Sequence, residues 1–184
     1  MWNIPNLLTL FRLLLIPVFI GCFYSGLEHA RFLAAFVFCM AAITDALDGY
    51  LARKLQQSTP FGAFLDPVAD KVMVAVALVL IAVDNLSLWI TLPAIIIICR
   101  EIVISALREW MAGIGKRANV AVSNIGKYKT AAQMLALIGL IWKPEWWLIS
   151  WFTPAGVMML YLATVLTVWS MYEYLKAAWR DLAV

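Results

Sequence analysis

Between Pro60 and Val83 the chain reads PFGAFLDPVADKVMVAVALVLIAV. A helix needs ~20 mostly apolar residues to cross the hydrocarbon core of a bilayer, and this stretch is long enough. Thr59-Pro60 ahead of it reads as an N-cap followed by proline at the first helical position. Gly62, Asp66 and Asp70 recur every four residues and so share one helix face. Pro67 falls inside the run and predicts a kink beside Asp66. A start with Asp66 as cap and Pro67 at the first position leaves only 67–83, at the short limit of a span. The longer, kinked helix is the better reading.

Five more apolar segments surround it, at 5–24, 31–52, 88–110, 125–142 and 147–172. The gaps are short apart from 111–124, so no separate soluble domain fits. The composition agrees. Of the 184 residues, 65% are hydrophobic and 14% charged, against ~45–50% and ~25% in soluble domains. A water-soluble fold of this size could not hide so much apolar surface. Disorder, coiled coil, collagen and a disulfide scaffold fail on the same numbers. The expectation is an all-α, polytopic membrane protein: one domain over 1–184, with six transmembrane helices in one bundle and a polar cavity facing the cytoplasm. The first segment has no basic region before Arg12, and Phe23-Tyr24-Ser25-Gly26 is no cleavage site, so it reads as a retained helix. Cys22, Cys39 and Cys99 lie in apolar runs without zinc or redox spacing and read as small hydrophobes.

Six spans put both termini on one side. That side carries Arg53, Lys54, Lys71, Arg108, Lys116, Arg117, Lys127, Lys129, Lys176 and Arg180, and the other only Arg31 and Lys143. The excess of positive charge places the first group in the cytoplasm, and it explains the net charge of +3 without nucleic acid. Trp89, Trp142, Trp146 and Trp147 gather at the opposite ends of their helices, as interfacial anchors do.

Arg12, Asp45, Asp48, Asp66, Asp70, Arg100 and Glu101 fall within or against these spans. Each is costly in a bilayer unless it faces a partner, a cavity or the bundle interior. A structural ion pair accounts for any one of them, but less well for four aspartates at matched spacing. Asp45, Asp48, Gly49 and Ala52 form one helix stripe, in which small residues admit a close approach. Four facing carboxylates cannot all stay ionised without cations. Oxygen ligands with few nearby His or Cys favour Mg²⁺ or Mn²⁺ over zinc, and such a cluster could hold two ions. Two-metal sites serve phosphoryl displacement. Arg12, Arg100, Arg108, Lys127 and Lys129 stand at a similar depth and suit a phosphate-bearing substrate, although snorkelling and topology also explain such residues. Neither Gly126-Lys127 nor Gly115-Lys116 completes a phosphate loop, since Ala121 and Trp110 occupy the earlier glycine position. His29, the single histidine, falls in an outer loop and has no assigned role.

The run Asp45-Ala46-Leu47-Asp48-Gly49-Tyr50-Leu51-Ala52-Arg53, followed eight residues later by Gly62-Ala63-Phe64-Leu65-Asp66-Pro67-Val68-Ala69-Asp70, resembles the signature of the CDP-alcohol phosphotransferases, D-x-x-D-G-x-x-A-R-x₈-G-x₃-D-x₃-D, at every fixed position. Asn3 to Arg12, Arg100-Glu101 and Gly126 to Thr130 extend the resemblance over nearly the whole chain, toward the bacterial branch that uses glycerol phosphate. The resemblance implies transfer of a phosphatidyl group from CDP-diacylglycerol to sn-glycerol 3-phosphate, with release of CMP. It implies that Asp45, Asp48, Asp66 and Asp70 hold the metal and that Asp70 is also the base. It implies that Gly49, Arg53 and Thr59 contact the CDP moiety; Thr9, Ala52 and Gly62 join them as candidates for the CDP-diacylglycerol pocket. Arg12, Arg100, Arg108, Lys127 and Lys129 are the candidates for the acceptor phosphate. A homodimer in the bacterial inner membrane is implied as well. Two alternatives stand beside this: another acceptor, inositol phosphate or serine, and a cation transporter. Carboxylates gathered toward one face, and no inverted repeat, weigh against the transporter.

Overall fold

The computed structural model describes residues 4–55, 60–115, 124–144 and 151–182. Among the described residues all regular structure is helical, in six helices. They are α1 (Ile4–Tyr24), α2 (Ala30–Leu55), α3 (Pro60–Asn85), α4 (Leu88–Gly113), α5 (Asn124–Trp142) and α6 (Phe152–Leu182). At ~1.5 Å rise per residue, all but the shortest exceed the ~30 Å hydrocarbon core, and α5 nearly matches it. Among the described residues Asn6–Tyr24, Leu88–Gly113 and Phe152–Trp179 are long and apolar enough to cross a membrane, and Lys129–Trp142 is a shorter apolar helix.

The burial pattern shows which solvent the fold is built for. The outward face of α4 carries Leu92, Ile95, Ile102 and Val103, while Arg100 is buried on the opposite face. Thr9, Arg12, Lys129, Gln133, Thr167 and Ser170 are buried too. Large apolar side chains cover the outside, and the charged and polar residues that lie within the apolar segments are tucked into an interior that is itself largely apolar. This arrangement is what a helical protein needs in lipid, where polar groups must find partners within the protein.

α3 runs from Pro60 without interruption through Pro67, so the long helix forms and the 67–83 alternative does not. Pro17 and Pro93 are likewise housed inside α1 and α4. α3 and α4 are joined by Leu86-Ser87 alone, with Leu86 at φ 46° and its N–H donating to the Ala82 carbonyl. Between α1 and α2 the chain reverses through Gly26 at φ 65°, a left-handed conformation that glycine takes without a Cβ clash.

The end of α6 differs from the expectation. The apolar run stops near residue 172, yet the helix continues to Leu182. Charged residues end hydrophobicity, but they do not end a helix. Met171, Tyr174, Leu175 and Ala178 keep an apolar stripe at helical spacing and pack on Ile104, Leu107 and Met111 of α4. Among the described residues the helix begins at Phe152; the start expected at 147 falls within 145–150, which with Trp146 and Trp147 lie outside the described residues.

The chain forms two compact units. The first comprises Met1–Leu80 and Ile138–Thr153, and the second Ile81–Leu137 and Pro154–Val184. In the first, α1 packs on α2. Ala34 and Ala41 let the helices approach, and the Phe19 and Phe38 rings meet with centroids 6.0 Å apart.

Candidate active site

The first unit holds the acidic elements. Asp45 and Asp48 stand three residues apart on α2, and Asp66 and Asp70 four apart on α3, so each pair shares a helix face. Asp45 is held by an ion pair: Arg12 Nη1 on α1 lies 2.6 Å from its Oδ1. The Arg12 side chain is 1% exposed and that of Asp45 43%. A guanidinium this deep is tolerable because it is paired. Arg12, grouped by sequence with the acceptor cations, is therefore a partner of the first aspartate. The adjacent Thr44 hydroxyl is satisfied inside its own helix, donating to the carbonyls of Met40 at 3.0 Å and Ala41 at 2.8 Å. Thr9 is fully buried on α1, Gly62 is buried on α3, and Asp70 is half-buried. Asp48, Gly49, Ala52, Arg53 and Asp66 take their places on the helices, but their side chains lie outside the described residues, as do that of Lys127 on α5 and the whole of Thr59.

The second unit gathers two of the expected cations, Arg100 and Lys129, around Glu101, to which the sequence assigns no role, and brings a third, Arg108, to the neighbouring Tyr174. Glu101 of α4 accepts a hydrogen bond from its neighbour Arg100 (Nη1 to Oε1, 2.9 Å) and another, on the same oxygen, from Lys129 Nζ of α5. Arg100 Nη2 donates to Ser170 Oγ of α6 at 2.7 Å, and Ser170 donates onward to the Thr167 carbonyl at 3.0 Å. The Tyr174 ring, one turn further along α6, lies 5.7 Å from the Arg100 guanidinium carbon and 4.9 Å from that of Arg108. Arg108 also donates to the Tyr174 hydroxyl. Arg100, Arg108 and Lys129 thus belong to one network. Two members were missed, Ser170 and Tyr174. Their signal was a buried stripe of polar residues on α6, Thr164, Thr167, Ser170 and Tyr174, at helical spacing inside an apolar run.

Such an arrangement has two chemical capacities: paired carboxylates on α2 and α3 of the first unit, and in the second two buried cations, Arg100 and Lys129, that converge on one carboxylate oxygen and are of the kind that binds phosphate.

A family model, CDP-alcohol phosphatidyltransferase, matches residues 2–169. The protein of Escherichia coli K12 named CDP-diacylglycerol–glycerol-3-phosphate 3-phosphatidyltransferase is 58% identical over 181 residues, 98% of this chain and 97% of its own. Proteins of the same name from Shigella sonnei and Shigella flexneri serotype 5b are 58% and 57% identical over the same shares.

Proposed function

Because the chain belongs to the CDP-alcohol phosphatidyltransferase family, we propose that it transfers the phosphatidyl group of CDP-diacylglycerol to sn-glycerol 3-phosphate, yielding phosphatidylglycerol phosphate and CMP. The observation that carries this reading is the match along 98% of the chain to relatives named for that reaction. The complete aspartate signature on α2 and α3 supports it.

The family uses divalent metal ions, and the donor set here suits one. Four aspartates offer hard oxygen ligands, and Asp45 is oriented by Arg12 while keeping much of its carboxylate open. Asp45, Asp48, Asp66 and Asp70 would hold Mg²⁺ or Mn²⁺, with room for two ions. When bound, the metal supplies positive charge to the diphosphate. Asp70 takes the proton from the acceptor hydroxyl as its oxygen attacks the phosphorus that carries diacylglycerol. The bond from that phosphorus to the CMP oxygen breaks, and CMP leaves. Arg53 balances donor charge, and Thr9, Gly49, Ala52, Thr59 and Gly62 shape the nucleotide pocket. Arg100, Arg108, Lys127 and Lys129 take the acceptor phosphate. Arg12 serves the acceptor indirectly, by fixing Asp45.

We read the chain as one functional domain, a homodimer in the bacterial inner membrane, with the site toward the cytoplasm, as the positive-inside asymmetry supports. The test is an acceptor panel: purified protein, CDP-diacylglycerol and Mg²⁺ with glycerol 3-phosphate, inositol phosphate or serine in turn. CMP release with glycerol 3-phosphate alone is the expected result. Release with another acceptor instead overturns the acceptor assignment. Mg²⁺ uptake into vesicles with no CMP release overturns the enzyme reading.

A further inference from the structure

We propose that Glu101 is a resident anion that the acceptor's phosphate displaces, which makes it a residue that selects phosphorylated acceptors. The inference rests on the reading of Arg100 and Lys129 as acceptor-phosphate ligands.

The geometry is that of an occupied anion site. Arg100 Nη1 and Lys129 Nζ converge on one oxygen, Oε1 of Glu101, from two different helices. A phosphate oxygen held by two cations makes the same demand. The cations are sealed, with side chains 8% and 6% exposed, whereas Glu101 is 25% exposed. The carboxylate is thus the open member of the trio and the one with room to move. Arg100 has donor capacity beyond what Glu101 uses: its buried Nε has no hydrogen-bond partner among the described residues. Ser170 and the Tyr174 ring hold the guanidinium from the other side, so it does not depend on Glu101 for its position.

Two cations at this depth need an anion at all times, because an unpaired buried charge is strongly destabilising. In the absence of substrate, Glu101 supplies it. A phosphate monoester brings up to two negative charges and three acceptor oxygens, more than a carboxylate offers, so it can take over both donors. A neutral or zwitterionic alcohol cannot repay the loss of the carboxylate and leaves the trio closed.

The discriminating variant is Glu101→Gln, which keeps shape and an oxygen acceptor but removes the charge. The probe is inorganic phosphate, read by thermal stabilisation of the detergent-purified protein, a measurement that needs no turnover. The variant is expected to be less stable without phosphate and to bind it at least ~10-fold more tightly, since the competing charge-assisted bonds are gone. In steady-state assays the KM for glycerol 3-phosphate falls while that for CDP-diacylglycerol is unchanged. Glu101→Asp keeps the charge on a shorter arm and is expected to tighten phosphate binding by a smaller factor. It decides the matter if Glu101→Gln does not fold. Unchanged or weaker phosphate binding in the folded variants overturns the proposal and makes Glu101 a structural counter-ion only. If phosphate binding tightens but the wild-type protein releases no CMP with glycerol 3-phosphate, the anion-site assignment stands and the acceptor assignment falls.

Discussion

Arg12 on α1 and Asp45 on α2 meet at 2.6 Å, with the arginine sealed and the aspartate partly open. A single residue therefore ties the first helix to the first position of the aspartate signature. Asp45→Asn removes the negative charge opposite a buried guanidinium, whereas Arg12→Ala leaves a carboxylate that water still reaches. The asparagine variant is expected to be the less stable of the two, even though it is the smaller change. A double-mutant cycle on thermal or denaturant unfolding should give a coupling of roughly 1–3 kcal/mol. Simple additivity would mean that the pair does not join α1 to α2 energetically.

Metal dependence follows from the donor chemistry of the four aspartates. Activity is expected to vanish in EDTA and return with Mg²⁺ or Mn²⁺. Asp70→Asn is expected to keep the fold and donor binding but lose turnover, because an amide cannot accept the proton. Full turnover in EDTA after exhaustive dialysis contradicts the metal reading, and an active asparagine variant contradicts the base.

The two ends of the reaction should separate in kinetics. Arg100→Ala or Lys129→Ala is expected to lower kcat/KM for glycerol 3-phosphate by ~10–150-fold, the value of a lost charge-assisted contact, with the rise in KM larger for the acceptor than for the donor. Arg53→Ala is expected to weaken CDP-diacylglycerol instead. An unchanged acceptor KM in the first two variants would move the acceptor pocket elsewhere.

The extension of α6 predicts a stability contrast. Met111 is fully buried against Tyr174 and Ala178 of that helix, so Met111→Ala should cost roughly 2–5 kcal/mol. Val103 faces outward from α4, and Val103→Ala should stay within about 0.5 kcal/mol. Removing residues 173–184 should destabilise the protein at least as much as Met111→Ala. Unfolding in detergent measures all three, and equal effects at 103 and 111 would refute the packing assignment.

Topology is testable by single cysteines in a background lacking Cys22, Cys39 and Cys99. Gln56→Cys and Ala118→Cys are expected to label from the cytoplasmic side, and Leu86→Cys and Pro144→Cys from the opposite side. The reverse pattern would refute the orientation drawn from the charge asymmetry.

The sequence alone determined the solvent, the helices and the signature. Hydrophobic run length is a local property that the bilayer reads directly, so α3 is helical from Pro60 and runs on through Pro67. The spacing of Asp45 with Asp48, and of Asp66 with Asp70, is likewise local, since one helical turn places each pair on a common face. Partner choice is not local. Arg12 is 33 positions from Asp45, and nothing in either helix alone says that α1 delivers its cation to that carboxylate. Glu101 meets Lys129 across 28 positions, and Arg100 meets Ser170 across 70. Only the packing of helices decides which buried charge receives which counter-ion, because each is limited to the partners its neighbours bring within reach. For the same reason α6 outruns its apolar stretch. The last turns are held by Ile104, Leu107 and Met111 on α4, a surface that the residues of α6 do not encode.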